Sequence, residues 1–243
     1  MNQQLHNKVV RMAKSTISDL ETVAWFQDIK NSLSLTEDEI ISAWVQWDTG
    51  KEDYGNEMYN SHAMRVAMYL HNFLPGSWHQ YRQNLISKLV EQLGRGSIYE
   101  VGFGTVPEYV DLVLGNNLTL TLSDMDDSSL RFAKLILDIK YSGWNNKIVL
   151  QKLNMDTETI PADHDLYIFQ DSLEHALDPG KVLSQHVGRV KKGTRFLFSL
   201  PRKLTPDLSL PLGLPLRRAG PQLPGPPLPR PQVLKLGRYG RRA

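Results

Sequence analysis

From residue 5 to about 95, apolar positions recur at helical spacing. Val9 to Ile29 carries them at mixed three- and four-residue intervals, a period that turns one helix face toward a core. Thr36-Glu-Asp-Glu39 has the reciprocal pattern of a capping box. It predicts a helix opening there and running through Ile40, Ile41, Trp44 and Val45. Asp48 to Asn60 is polar and holds two glycines, the composition of a loop. Two more helices are expected, Ser61 to Leu74 and Trp78 to Leu93, split by Pro75-Gly76. Trp44, Trp47, Met64 and Met68 fall on apolar faces and are expected in the core.

The rhythm changes at Ser97. Ile98 to Val101 reads as a short buried strand ending in glycines, Val106 to Leu114 as a helix, and Leu118 to Leu122 as an alternating strand. Helix is expected again over Ser128 to Tyr141, and strand over Ile148 to Leu153 and Asp165 to Phe169. Asp178 to Val190 reads as helix and Arg195 to Leu200 as strand. Strands alternating with helices of this length predict βαβ units and a parallel sheet, an α/β class. From Pro201 the rhythm stops. Ten of the chain's 14 prolines lie in the last 43 residues, where they exclude interior helix and central strand. That composition predicts a disordered or polyproline-like tail over 202–243.

Charge follows the same division. The tail holds nine basic residues and one acid, Asp207, so it carries +8 against the +2 of the whole chain, and the first 201 residues stand at −6. An acidic body argues against a nucleic-acid partner. The absence of cysteine excludes disulfides and thiolate metal sites, and the histidines show no metal-ligand spacing. No apolar run approaches the roughly 20 residues of a membrane span. The N-terminal MNQQLHNKVV lacks the apolar stretch of a signal peptide. No membrane partner and a cytoplasmic location are the expectation.

The candidate chemistry lies where the predicted strands end. The first runs into Glu100-Val-Gly102-Phe-Gly104-Thr-Val106-Pro107, and glycines there let backbone approach a ligand closely. A dinucleotide fold would place a third glycine where Pro107 stands, and its pyrophosphate would meet Glu100. That carboxylate better suits a cation. The second strand ends in Ser123-Asp124-Met125-Asp-Asp127. An acid some 20 residues past the glycines is suited to a ribose diol, and the acids that follow suit an N-cap.

With these motifs the chain resembles the class I S-adenosylmethionine (SAM) dependent methyltransferases. The likeness continues through Asn154-Met155-Asp156-Thr-Glu-Thr-Ile160-Pro161, through Asp165 to Gln170 with Leu173-Glu174-His175 and Asp178-Pro179, and through Val190-Lys-Lys-Gly193 into Leu200-Pro201. It covers about 105 of the 243 residues. It implies a Rossmann-like doubly wound sheet over 97–201, with residues 1–96 as a helical substrate cap. The implied cofactor is SAM, held by Glu100, Gly102, Gly104, Asp124, Met125, Met155, Asp156 and Gln170, with Asp156 toward the adenine amino group and Met155 against the ring. His175, just past the fourth strand, is the candidate general base. Tyr54, Tyr59, His62 and Asp171 are the candidate acceptor-binding residues, and the loop from Asp48 to Asn60 a candidate lid.

Two departures stand against the family pattern. Val106 replaces its third glycine. The family's closing helix and antiparallel hairpin find only the Pro/Arg-rich tail, so the C-terminal strands are expected to be missing and an edge exposed. The abrupt change of composition reads as a shifted frame or a truncated gene. The resulting expectation is a methyltransferase acting on a small-molecule acceptor. The alternatives are a non-catalytic SAM-fold binding or regulatory protein, an NAD-dependent oxidoreductase disfavoured by Glu100 and Pro107, and a tail that serves as a proline-rich ligand.

Overall fold

The structure is a computed structural model that describes residues 3–49, 61–74 and 78–200, together with the strands Leu216–Arg218 and Gln232–Leu236. Its contacts divide it into two units. One holds Met1–Leu93, Thr105–Gly115 and Ser128–Asn146; the other holds Gly94–Gly104, Asn116–Asp127 and Lys147–Ala243.

The first unit is helical. It contains α1 (Gln3–Leu20), α2 (Ala24–Leu33), α3 (Glu37–Thr49), α4 (His62–Leu70), α5 (Trp78–Leu93), α6 (Val110–Gly115) and most of α7 (Asp127–Lys140). The capping box forms as expected. Glu39 N–H donates to Thr36 Oγ1 at 3.3 Å while the Thr36 N–H donates back to Glu39 Oε2 at 2.8 Å, satisfying two otherwise orphaned donors. Ser61 caps α4 by accepting from the Met64 N–H. Trp44 and Met64 are fully buried. Asp48 belongs to α3 rather than to the loop, where it accepts from Trp44 Nε1 at 3.1 Å and lies 3.2 Å from His71 Nε2. Residues 50–60 of the expected lid lie outside the described residues.

α6 begins later than its pattern suggested. The expectation was Val106, but 105–109 are turns and bends and the helix opens at Val110. Pro107 disfavours helical backbone at Val106, and its carbonyl accepts from the Val110 N–H to close the preceding turn. Val106 itself is buried. On the same unit the Lys140 ammonium sits 4.8 Å from the Trp25 ring centroid and 5.7 Å from those of Tyr69 and Phe73, and it donates to the Tyr69 hydroxyl at 3.0 Å. Aromatic faces replace part of the water this cation loses, and burial lowers its pKa.

The second unit is a seven-stranded sheet in the order β3-β2-β1-β4-β5-β7-β6. Its strands are β1 (Arg95–Val101), β2 (Asn117–Asp124), β3 (Ile148–Lys152), β4 (Leu166–Gln170), β5 (Arg195–Leu200), β6 (Leu216–Arg218) and β7 (Gln232–Leu236). β1 to β5 are parallel. β7 runs antiparallel to both β5 and β6. The expectation of missing C-terminal strands is therefore corrected: the tail supplies an antiparallel pair, and β5 is not an edge. The prolines fall outside both strands, so no ladder donor is lost within them. The remainder of the tail lies outside the described residues.

One face of this sheet is an aromatic ladder. The register sets Tyr99, Tyr167 and Phe196 side by side, and next to them Val101, Phe169 and Phe198. Phe169 stacks on Phe198 at 5.3 Å between centroids, and Tyr167 on Phe196 at 5.4 Å. α8 (Pro179–Val187) covers this face with Val182, Leu183 and Val187. It starts with Asp178 accepting from the Lys181 N–H and with Pro179 in its first turn, where a missing N–H costs nothing.

Candidate functional site

Because β1 to β4 are parallel and in register, the loops after them emerge at one edge of the sheet. Open α/β sheets bind ligands there, outside the carboxyl ends of the strands. All eight positions expected to hold a cofactor fall on this edge or on the strand ends that make it: Glu100, Gly102, Gly104, Asp124, Met125, Met155, Asp156 and Gln170.

Hydrogen bonds tie the loops together. The N–H groups of Gly102 and Phe103 both donate to the Ser123 carbonyl, at 2.7 and 3.4 Å, and Ser123 Oγ donates to the Glu100 carbonyl at 3.0 Å. These bonds bend the β1 loop toward the end of β2. Asp124 then accepts from the Gly104 N–H at 3.2 Å and from the Asp126 N–H at 3.0 Å. Its carboxylate is thus held against the glycine loop, while the Leu153 N–H bonds its carbonyl and brings in the β3 loop. The Glu100 side chain is buried.

The two glycines have different physical reasons. Both have φ in the left-handed region, +66° at Gly102 and +62° at Gly104, which favours glycine. A Cβ on Gly102 would also stand 2.5 Å from that of Ser172, so the β4 loop packs directly on its backbone. Among the described residues, a Cβ on Gly104 would meet nothing within 4 Å. The backbone there faces open space.

Past β3, Asn154 accepts from the Asp156 N–H at 3.0 Å, and Asp156 Oδ1 accepts from the Leu177 N–H at 2.8 Å. Leu177 was not anticipated from the sequence. Its side chain is 89% exposed, and Met125 on the same edge is 59% exposed. Large apolar chains left this open beside a fixed carboxylate suit a flat apolar ring with a hydrogen-bonding edge. Met155 is partly buried against the aromatic core.

Past β4, Gln170 Oε1 and Ser172 Oγ are buried and make no hydrogen bond among the described residues. Such atoms in a native structure call for a partner. Asp171 between them is exposed and takes a left-handed φ of +47°, rare for a residue with a Cβ. His175 ends a short 3-10 turn, Leu173–His175, and is exposed. His62, the first residue of α4, is exposed in the helical unit, and Tyr54 and Tyr59 lie outside the described residues. Among the described residues no group of His, Asp and Glu could hold a metal, and no helix is long and apolar enough to cross a membrane.

The edge fits SAM. Among the described residues nothing lies within 4 Å of a Cβ on Gly104, Asp124 and Asp156 are carboxylates fixed by backbone N–H groups, and Gln170 and Ser172 hold buried polar atoms without a hydrogen-bond partner.

No protein-family model matches the chain, and no curated protein matches it. Solved structures do. An O-methyltransferase family protein from Burkholderia thailandensis aligns with a TM-score of 0.57 and 15% identity, over 84% of this chain and 72% of its own. The N-methyltransferase NodS from Bradyrhizobium japonicum WM9, in complex with S-adenosyl-L-homocysteine (SAH), aligns with a TM-score of 0.53 and 14% identity, over 69% of this chain and 90% of its own. The chain spans about half the length of other structures it matches, 46% in the case of the [4+2]-cyclase SpnF. At such identities the likeness is one of architecture. The strand order, the closing antiparallel pair and the alignments with the two methyltransferases agree: the chain has the fold of the class I SAM-dependent methyltransferases.

Proposed function

We propose that this protein is a SAM-dependent methyltransferase acting on a small-molecule acceptor, with SAM held on the C-terminal edge of β1 to β4. The observation that carries the reading is the pairing of Gly104 with Asp124. A left-handed glycine with open space over its Cα sits 3.2 Å, through its N–H, from a carboxylate at the tip of the next strand. Asp124 would take the ribose diol, and Asp156 the adenine amino group between Met125, Met155 and Leu177. Glu100 and Gln170 would face the aminoacyl end. SAM supplies an activated methyl group when bound. The task left to the chain is to hold the acceptor in line and, where the acceptor carries a proton, to take it.

His175 is the proposed base and Asp171 a proposed acceptor contact; His62, Tyr54 and Tyr59 remain candidates from sequence. The test is transfer of tritium from methyl-labelled SAM into a panel of small-molecule acceptors. Label in one acceptor class, inhibited by SAH, supports the reading. His175→Ala should lower turnover about 10²-fold near neutral pH, with the loss shrinking as the pH rises and the acceptor sheds its proton unaided. SAH binding with no transfer into any acceptor would instead favour the non-catalytic binding protein.

A further inference from the structure

We propose that a cleft on the α8 face of the sheet, away from the carboxyl edge of the strands, is a second ligand site, built for an α-amino acid whose aromatic side chain carries an N–H or O–H donor. The proposal does not depend on the methyltransferase reading. The cleft has a volume of about 290 Å³ and lies between the β3–β4 connection and α8. Its whole lining belongs to the sheet unit. Met155, Ile160 and Val182 give it an apolar floor, in which Ile160 and Val182 are buried. From the other wall, α8 and the turn that ends it contribute Val182, His186 and Arg189, which share one face. Because α8 connects the parallel neighbours β4 and β5, it runs back against their direction. Each of these three residues is therefore farther from the cofactor edge than the one before it.

The observation that points to a ligand is His186. It lines the cleft, is 2% exposed, and has no hydrogen-bond partner for either ring nitrogen among the described residues. Burial lowers its pKa to about 4, so the ring is neutral and has one donor and one acceptor nitrogen. The donor has neighbours that can receive it. The Ile160 carbonyl lies beside the ring, short of hydrogen-bond geometry, and the Tyr167 ring stands T-shaped to it at 4.2 Å. The acceptor has no such neighbour, since the Tyr167 hydroxyl donates to the Pro161 carbonyl at 2.7 Å. A buried lone pair of this kind calls for a donor. An indole N–H or a phenol O–H brings one on a flat apolar ring, the shape that suits a floor of Met155, Ile160 and Val182.

The mouth carries one charge of each sign. Arg189 is exposed, and its Nη1 donates to the Ile160 carbonyl at 3.4 Å, which holds the guanidinium over the floor. Among the described residues no carboxylate pairs with it, so the rest of its N–H fork is open to one. Glu158, also exposed, lines the cleft from the opposite wall. The Asn154 N–H donates to its Oε2 at 2.7 Å, which fixes the carboxylate and leaves Oε1 for a second donor. A plain anion would be repelled by Glu158 and a plain cation by Arg189. The carboxylate and ammonium of an amino acid answer both charges at once.

The experiment is calorimetric titration of the full chain with L-tryptophan, L-phenylalanine, indole-3-propanoate and tryptamine, each with and without saturating SAH. Relative to tryptophan, phenylalanine lacks the ring donor, the propanoate lacks the ammonium and tryptamine lacks the carboxylate. The expected result is saturable tryptophan binding near one site per chain, with each of the other three weaker by about fivefold or more, and with tryptophan still bound when SAH is present. Arg189→Gln, at an exposed position, should weaken tryptophan about tenfold while the melting temperature is unchanged. No saturable binding of tryptophan, or full affinity in a folded Arg189→Gln, overturns the site. Equal affinity for tryptophan and phenylalanine overturns the pairing with His186. Tryptophan displaced by SAH would belong to the cofactor edge, and the separate site would fall. A protein that binds tryptophan and not SAH contradicts the methyltransferase reading alone.

Discussion

At the scale of single residues, Gly102 and Gly104 separate structure from binding. Both share the left-handed backbone, so alanine at either costs about 1 kcal/mol from conformation alone. At Gly104 nothing else is disturbed among the described residues, none of which has an atom within 4 Å of the added Cβ. Gly104→Ala should fold with a Tm only a few degrees lower, yet lose at least tenfold in SAH affinity as the methyl group enters the ligand's space. At Gly102 the added carbon collides with Ser172. Gly102→Ala should lose more stability than Gly104→Ala, because the β4 loop must move. Thermal melts with SAH titrations on both variants check this; equal stability and equal binding would contradict the distinction. The sequence showed two glycines after a strand and could not tell these roles apart. One is set by a residue seventy positions away, which local pattern does not encode. The same holds for Leu177, whose N–H fixes Asp156 across a 21-residue separation. Gly104 and Asp124, by contrast, were legible, because the spacing from one strand tip to the next is itself local.

At the scale of elements, four of the five parallel strands were readable within a residue or two, and β1 was read three residues short at its start; alternation and β-branched runs mark them directly. The two closing strands were not. Proline density over 202–243 hid a short proline-free window at Gln232–Leu236, and pairing to β5 decides its conformation. Intrinsic preference yields there to the free donors and acceptors of a sheet edge. The late start of α6 is the opposite case, a local rule overlooked: the residue before proline avoids helix. The closing pair has a consequence for stability. A chain ending at Pro201 would leave the β5 side of the ladder unpaired, beside the Phe196 and Phe198 face. It should elute as aggregates in size-exclusion chromatography where the full chain does not; a monodisperse, SAH-binding truncation would show that β7 is dispensable.

At the scale of the whole molecule, two buried histidines set a pH limit on the fold. His186 lies 4.2 Å from the Tyr167 ring, and burial pushes its pKa down from the usual 6.5 to about 4. His71, packed between Trp44 and Trp47, is pushed to about 3. Both are neutral when folded and gain a proton more readily when unfolded. Stability is therefore full above about pH 6.5 and falls as the pH drops toward 4, since the unfolded chain binds more protons in that window. For His186 the loss by pH 4 is on the order of 3 kcal/mol. Denaturant midpoints from pH 7 to pH 4 should decline, and His186→Phe should flatten part of the slope if the ring is accommodated. A midpoint that rises on acidification would reverse the sign.

The central claim, that the C-terminal edge of β1 to β4 is a SAM site, is tested most directly by calorimetric titration of SAH into the full chain and into Asp124→Ala. The account predicts saturable binding near one site per chain, weakened at least tenfold in the variant, with both proteins folded by circular dichroism. A folded wild-type protein that takes up no SAH, or a variant that binds as tightly as the wild type, would contradict it.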